Sequence, residues 1–135
     1  MLTTKLIHPD IISALSYCGH GSKILIGDGN YPIDQKSNPE AIRVYLGVTP
    51  GLPTVTDVLK ALHSVCEFEK AEVMTPGDGS TPEIFAEFEK ELGLPLEKLG
   101  RYEYYDMCMK EDIYLAISTG EKRIFSNIVL TVGCA

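Results

Sequence analysis

The sequence predicts an α/β protein, a single-domain three-layer α/β/α sandwich with a mixed β-sheet. Short apolar runs typical of buried strands alternate with segments whose apolar residues recur at helical spacing. The last two predicted strands follow each other closely, which predicts an antiparallel arrangement at one edge of the sheet. A chain of 135 residues can bury one hydrophobic core, so a single domain over residues 1–135 is expected.

Helices are predicted where apolar residues form one stripe between recognisable ends. Pro9 suits a first helical turn, and Gly19 follows the last periodic residue of that segment. Thr54 caps the next helix, while Thr81 and Pro82 form a cap and a first helical position for another. The predicted helices are residues 9–18, 54–68, 81–93 and 103–112.

Strands are predicted where short β-branched and aliphatic runs lie between turn residues. "KILIG" is the clearest, because its apolar run is closed by glycine, as expected of a strand buried on both faces. The predicted strands are residues 23–27, 43–48 and 71–76, a short one near Leu99, and residues 113–118 and 126–133.

Composition and charge exclude several classes of protein. The chain is 44% hydrophobic and 23% charged, as in ordinary globular proteins. A net charge of −7 with scattered basic residues argues against nucleic acid as a partner. No apolar run approaches the roughly 20 residues that span a bilayer, and the first residues lack a signal-peptide pattern. We therefore expect a cytoplasmic protein that does not bind membranes.

The four cysteines do not predict a metal site. Cys18, Cys66, Cys108 and Cys134 are far apart in sequence, with no CxxC pair and no histidine at metal-ligand spacing. Reduced thiols packed as small hydrophobes are expected, and no metal is predicted.

His20 and Asp28 are the first candidates for chemistry. Glycines flank His20 on both sides and leave room for a ligand to approach the imidazole, although a helix cap or a surface histidine would show the same pattern. Asp28 follows a buried strand, where open α/β sheets place ligand crevices. Its surroundings, "GDGN", are equally typical of a turn.

Two further polar residues have open interpretations. Arg101 precedes a tyrosine cluster, "RYEYYD", that is more often a core or interface patch, but its guanidinium could bind a polar ligand. Asn127 opens the last strand and could cap, turn or bind. These residues alone predict an α/β domain with a possible His/Asp site.

Three blocks taken together resemble the ribose pyranase and fucose mutarotase family. They are "HPDIISALSYCGHGSKILIGDGNYP", "RYEYYD" and "TGEKRIFSNIVLTVG", and the resemblance extends over nearly the whole chain. It implies an isomerase that interconverts anomers or ring forms of a free monosaccharide without a cofactor. It also implies a homo-oligomer, commonly a ring-like decamer, in which neighbouring subunits share their sites.

The resemblance also implies roles for individual residues. It makes His20 the acid/base residue and Asp28 a ligand for sugar hydroxyls, and it places Ser126 and Asn127 among the sugar contacts. Arg101 matches an arginine of the fucose branch, where the ribose branch has histidine. The resemblance therefore favours a fucose-like sugar.

Phe125 departs from the family pattern, which commonly has tyrosine there. Tyr31 stands where the family commonly has phenylalanine before the proline, so a hydroxyl is lost at one position and gained at the other. One hypothesis is that Tyr31 supplies the missing hydroxyl to the sugar pocket. The alternative is that its polar tip faces solvent.

The chemistry fits these residue types, but the spacing of the two main candidates needs an explanation. Ring opening requires proton exchange at the anomeric hydroxyl and at the ring oxygen, which histidine performs near neutral pH. A fully extended strand would hold the backbones of His20 and Asp28 up to about 20–25 Å apart. Either the glycine-flanked loop folds back, or a second chain completes the site.

Two functions of other classes remain open from the sequence. Loss of the tyrosine hydroxyl at Phe125 is compatible with a non-catalytic protein that binds or senses a monosaccharide. A purely structural assembly subunit would neither bind nor convert sugars.

Overall fold

The computed structural model describes all residues from 1 to 135 and confirms the α/β class. The elements in chain order are α1 (Pro9–Tyr17), β1 (Lys23–Gly27), β2 (Ile42–Tyr45), α2 (Val55–His63), β3 (Phe68–Met74), α3 (Ile84–Leu92), β4 (Leu96–Leu99), α4 (Arg101–Cys108), β5 (Ile113–Ser118) and β6 (Ile128–Val132).

One mixed sheet organises the molecule, with six strands in the order β2-β5-β1-β6-β3-β4. β1 pairs in parallel with β5, β5 with β2, and β3 with β4, whereas β6 runs antiparallel to both β1 and β3. The carboxyl ends of five parallel strands therefore meet the start of β6 at one edge, which we call the carboxyl edge. The opposite ends of the strands form the amino edge.

The predicted antiparallel pair at the margin of the sheet is wrong. β5 and β6 are consecutive in sequence, but β1 lies between them, so β6 is an inner strand. All five residues of β6 are buried, which is the burial expected of a strand covered on both faces. The connection over residues 119–127 is long enough to pass the end of β1 before the chain turns back.

The two faces of the sheet carry unequal layers, which confirms the three-layer sandwich. Helices α1, α2 and α3 cover one face through the larger apolar cluster, which includes Ile11, Leu59 and Phe88. The other face is covered by α4 and by residues 31–33 after β1, through a smaller cluster that includes Tyr31 and Tyr104. The thinner layer leaves room for a cleft near the carboxyl edge.

Several boundaries differ from the predicted ones. Thr54 caps α2 as predicted, in a reciprocal capping box with Asp57. Phe68 belongs to β3 rather than to the preceding helix, because its neighbourhood pairs with β6. Helix α3 begins at Ile84, after a turn closed by a hydrogen bond from Phe85 N to the Pro82 carbonyl.

Helix α4 is displaced towards the amino terminus relative to the prediction, and Arg101 is its first residue. The four helices have eight or nine residues. None combines the length and the apolarity needed to cross a membrane.

Candidate functional site

The predicted site residues divide between the two edges of the sheet. Asp28 directly follows β1, Asn127 directly precedes β6, and Arg101 follows β4 by two residues, so all three lie at the carboxyl edge. His20 precedes β1 and lies at the amino edge.

Asp28 is the centre of the carboxyl-edge group, which also contains Ser126 and Asn127. Its side chain is almost fully buried, and its carboxylate accepts hydrogen bonds from Asn30 N at 2.9 Å and from Ser126 N at 3.1 Å. The Asp28 backbone N–H donates to Asn127 Oδ1 at 2.8 Å. Backbone hydrogen bonds therefore hold a carboxylate and an amide side by side where the strands end.

Burial raises the pKa of Asp28 above its ordinary value. Hydrogen bonds from the backbone N–H groups of Asn30, Ser126 and Tyr31 oppose that rise, and the nearby charge of Glu121 adds to it. Each carboxylate oxygen carries more than one lone pair, so both can accept a ligand hydroxyl in addition to the backbone N–H.

A cleft of about 250 Å³ opens beside Asp28 and Asn127. The remaining lining residues are Asn30, Tyr31, Met74, Arg101, Tyr105, Ile124 and Phe125. The guanidinium carbon of Arg101 lies 5.8 Å from the centroid of the Phe125 ring, a cation–π contact. Arg101 forms no salt bridge within the chain, so its N–H donors remain free for a ligand.

Phe125 has a backbone conformation that is rare for an aromatic residue. Its φ is 57°, and it is the only non-glycine residue of the chain with a positive φ. The next residue, Ser126, donates the N–H that binds the Asp28 carboxylate. The left-handed Phe125 thus directly precedes the residue whose N–H binds Asp28. Residues in such rare backbone conformations cluster at binding sites.

Tyr31 contributes its ring rather than its hydroxyl to the cleft. The side chain is buried, so the solvent-facing alternative is wrong. Its hydroxyl donates to the Lys36 carbonyl at 2.7 Å, and its ring packs edge-on against Tyr104 and Tyr105. The hydroxyl is therefore engaged inside the fold, and burial raises its pKa so that it stays protonated.

The segment from 119 to 127 is anchored by an ion network. The buried carboxylate of Glu121 pairs with Arg123, with Nε and Nη2 each 3.0 Å from a carboxylate oxygen. Glu121 also accepts from Val55 N at the start of α2, and Arg123 contacts Glu87 of α3. This network ties the segment that carries Phe125 to two helices of the thicker layer.

Contacts with the Arg123 guanidinium favour the charged form of the Glu121 carboxylate. Burial alone would raise the pKa of Glu121, but the hydrogen bonds and charge of Arg123 outweigh burial and hold it below its ordinary value. Sequence reasoning did not identify this pair. The sequence feature that could have indicated it is the spacing of Glu121 and Arg123, two residues apart within "TGEKR".

At the amino edge, His20 contacts a residue that sequence reasoning missed. Its Nε2 lies 2.9 Å and 3.0 Å from the two carboxylate oxygens of Glu69, the second residue of β3. Both side chains are exposed. No sequence signal joins them, because the loop before β1 and the start of β3 become close only in the folded sheet.

Within one chain, the structure does not bring His20 and Asp28 together. The loop of His20 is tied to the end of β6 by a hydrogen bond from Gly21 N to the Val132 carbonyl at 2.9 Å. Asp28 lies beyond the other end of β1. The alternative in which the glycine-flanked loop folds back onto Asp28 is therefore wrong.

No group of three or more His, Cys, Asp or Glu side chains is arranged to hold a metal ion.

Comparison with known proteins identifies relatives along the whole chain. The model of the family described as the RbsD / FucU transport protein family matches residues 1–135. A curated relative named D-ribose pyranase, from Paracidovorax citrulli, is 33% identical over 133 residues, which are 98% of each chain.

Solved structures share the fold. Bacillus subtilis RbsD complexed with D-ribose superimposes with a TM-score of 0.83 at 24% identity, covering 100% of this chain and 99% of that one. Streptococcus pneumoniae fucose mutarotase in complex with L-fucose has a TM-score of 0.79 at 24% identity, covering 96% and 94%. At these identities the likeness establishes the fold alone.

Proposed function

The chain belongs to the RbsD / FucU transport protein family, and we propose that it interconverts anomers or ring forms of a free, fucose-like monosaccharide with His20 as the acid/base residue. Isomerisation of sugar ring forms is the activity class of its relatives, named D-ribose pyranase and fucose mutarotase. The choice of sugar and the role of His20 are our proposals.

The observation that carries this proposal is the Asp28 group beside its cleft. A buried carboxylate, the Asn127 amide and a free guanidinium on Arg101 line a space of about 250 Å³. That volume lies just below the range of about 300–1,000 Å³ found for drug-sized ligands, so it suits a single sugar ring. The donors and acceptors are those that hydroxyl groups require.

The proposed mechanism divides the work between the two groups of residues. Asp28, Asn127 and Arg101 position the sugar hydroxyls, which lowers the barrier by fixing geometry. His20 removes the proton of the anomeric hydroxyl, the bond from C1 to the ring oxygen breaks, and the ring oxygen receives a proton. Reclosure on the other face gives the other anomer, and the histidine ends as it began.

Because His20 and Asp28 lie beyond opposite ends of β1, we propose that a second chain completes each site. The amino edge of one subunit then contacts the carboxyl edge of the next. Such a head-to-tail contact joins unlike surfaces and closes into a ring when the rotation between subunits allows. This agrees with the expected ring-like homo-oligomer, for which ten subunits remains our prediction.

Complementation tests the shared site. His20→Ala chains and Arg101→Met chains should each be inactive, whereas mixed oligomers should recover part of the exchange activity, because some sites then combine an intact His20 with an intact Arg101. Arg101 suits this test because it is exposed and carries no structural salt bridge. Asn127→Ala serves as a second partner. No recovery after demonstrated subunit mixing would show that His20 of one chain and Arg101 of another do not act in one site, which overturns the shared-site proposal.

Two sugars are candidates for the substrate. Arg101 favours a fucose-like sugar through its resemblance to the fucose branch, whereas the curated relative named D-ribose pyranase favours D-ribose. Saturation-transfer NMR can measure exchange between the forms of L-fucose and of D-ribose, each with and without protein. The substrate is the sugar whose exchange the protein accelerates.

A non-catalytic sugar-binding or sensing function is the alternative. It is favoured by the absence of a hydroxyl at Phe125, together with the engagement of the Tyr31 hydroxyl by Lys36. Saturation-difference signals from a bound sugar with no accelerated exchange would establish this alternative and refute the mutarotase proposal.

A further inference from the structure

The contact between His20 and Glu69 engages one imidazole nitrogen, Nε2, and leaves Nδ1 without a hydrogen-bond partner in the chain. Both oxygens of Glu69 lie within 3.0 Å of Nε2 of His20. An ionised carboxylate only accepts hydrogen bonds, so Nε2 carries the hydrogen. In the neutral imidazole, Nδ1 then holds the lone pair that can accept a proton.

The fold builds this contact across a full strand. His20 precedes β1 and Glu69 belongs to β3, and the end of β6 lies between those two strands. The contact passes over Gly133, the residue directly after the end of β6 at Val132. A Cβ at position 133 would lie 3.2 Å from Glu69 Cβ, so the lack of a side chain there leaves Glu69 free to reach His20.

We propose that Glu69 is a positioning residue that holds His20 with Nδ1 directed at the sugar. This inference rests on the proposed function, since it assigns the proton-transfer atom of that reaction. Nδ1 takes the proton of the anomeric hydroxyl as the C1 carbonyl forms and the bond to the ring oxygen breaks. The same proton is then delivered to the ring oxygen, so no proton is gained or lost.

A second histidine–glutamate pair provides a matched control. His63 of α2 contacts Glu91 of α3 at 2.9 Å, but through Nδ1 rather than Nε2. This pair joins two helices, and both of its side chains are about one-quarter exposed. It therefore has the same chemical groups in a structural role, with the opposite ring nitrogen bound.

The experiment uses the intact protein labelled with ¹⁵N-histidine, whose three imidazoles are assigned by single substitutions. Without sugar, His20 should show the Nε2–H tautomer, and Glu69→Ala should convert it into a mixture. With sugar, Glu69→Ala should lower kcat about 10-fold or more, as for carboxylates that orient metal-binding histidines, and leave KM within about twofold. Glu69→Gln, which keeps an acceptor oxygen, should recover part of kcat.

Two control variants sharpen the result. Glu91→Ala should leave the tautomer of His20 and kcat unchanged. Gly133→Ala keeps the Glu69 carboxylate but crowds its Cβ, so it should shift the tautomer and kcat in the same direction as Glu69→Ala, by a smaller amount.

The outcomes distinguish this inference from the proposed function. An unchanged His20 tautomer in Glu69→Ala overturns the inference, and so does a changed tautomer with an unchanged kcat. Wild-type protein that accelerates no exchange on L-fucose or D-ribose refutes the proposed function and removes the catalytic meaning of the contact. Only one outcome supports the inference: Glu69→Ala changes the His20 tautomer and also lowers kcat.

Discussion

The two edges of the sheet carry the two halves of the proposed site in different ways. At the carboxyl edge, Asp28, Ser126 and Asn127 are buried and joined by hydrogen bonds through the backbone. At the amino edge, His20 stands on an exposed loop and is held by one carboxylate, that of Glu69. The proposed binding groups are thus fixed by the core, whereas the proposed proton-transfer group, His20, lies exposed.

His20→Ala is expected to have the largest effect, on activity alone. Loss of a proton-transfer group slows exchange by about 10²-fold or more. The free energy of unfolding should change by less than about 0.5 kcal/mol, because an exposed side chain away from the core contributes little. Anomeric exchange by NMR and urea unfolding measure the two effects. Equal exchange rates in mutant and wild type would remove His20 from the mechanism.

Arg123→Met, at the carboxyl edge, is expected to lower the free energy of unfolding strongly, in contrast to His20→Ala. Removing one partner of a buried ion pair costs about 3–5 kcal/mol, and we expect about 2–3 kcal/mol because the Arg123 side chain is 35% exposed. Urea unfolding measures this loss, with the exposed neighbour Lys122→Met as the control. Equal stabilities of the two variants would mean that the Glu121 network does not anchor the 119–127 segment.

Tyr31→Phe should reduce stability modestly and leave exchange nearly unchanged. The Lys36 carbonyl would lose its donor, and because this hydrogen bond is only part-buried, the cost should lie at the lower end of the range of about 1–3 kcal/mol for a buried group. The ring that lines the cleft remains. Unfolding and exchange are measured on the same preparation. A clear fall in exchange that Phe125→Tyr restores would contradict this prediction and show that the Tyr31 hydroxyl serves the sugar.

The pH dependence of stability should show the smallest effect, at Asp28. Its folded-state pKa is raised above the ordinary value of 3.8, so the folded chain binds this proton more readily than the unfolded chain. Protonated Asp28 therefore contributes to the free energy of unfolding. This contribution is fully present below pH 3.8 and is lost as the pH rises through the folded-state pKa.

Comparison with Asp28→Asn isolates this contribution, because asparagine does not titrate. The free energy of unfolding of the wild type minus that of Asp28→Asn should fall as pH rises from about 3.8 upwards. A difference that stays constant, or that rises with pH, would show that burial does not raise the pKa of Asp28.

The candidate site was partly predictable because some of its residues lie within local motifs. Glycines around His20 and the strand end before Asp28 suggested those two residues. Arg101 and Asn127 were open candidates to which the family resemblance gave sugar-binding roles, and it added Ser126. Glu69 could not be predicted, because its contact with His20 exists only once β6 separates β1 from β3. The engagement of the Tyr31 hydroxyl by Lys36 likewise depends on how the loop after β1 folds.

The sequence by itself determined the elements of this protein, since helical stripes, caps and buried strands arise from interactions between residues near each other in the chain. Thr54 at the start of α2 and "KILIG" in β1 are examples. The tertiary structure alone decided that β6 enters the middle of the sheet and that His20 and Asp28 lie at opposite edges. Strand order depends on which apolar faces become buried together over the whole molecule, and no local spacing encodes that choice.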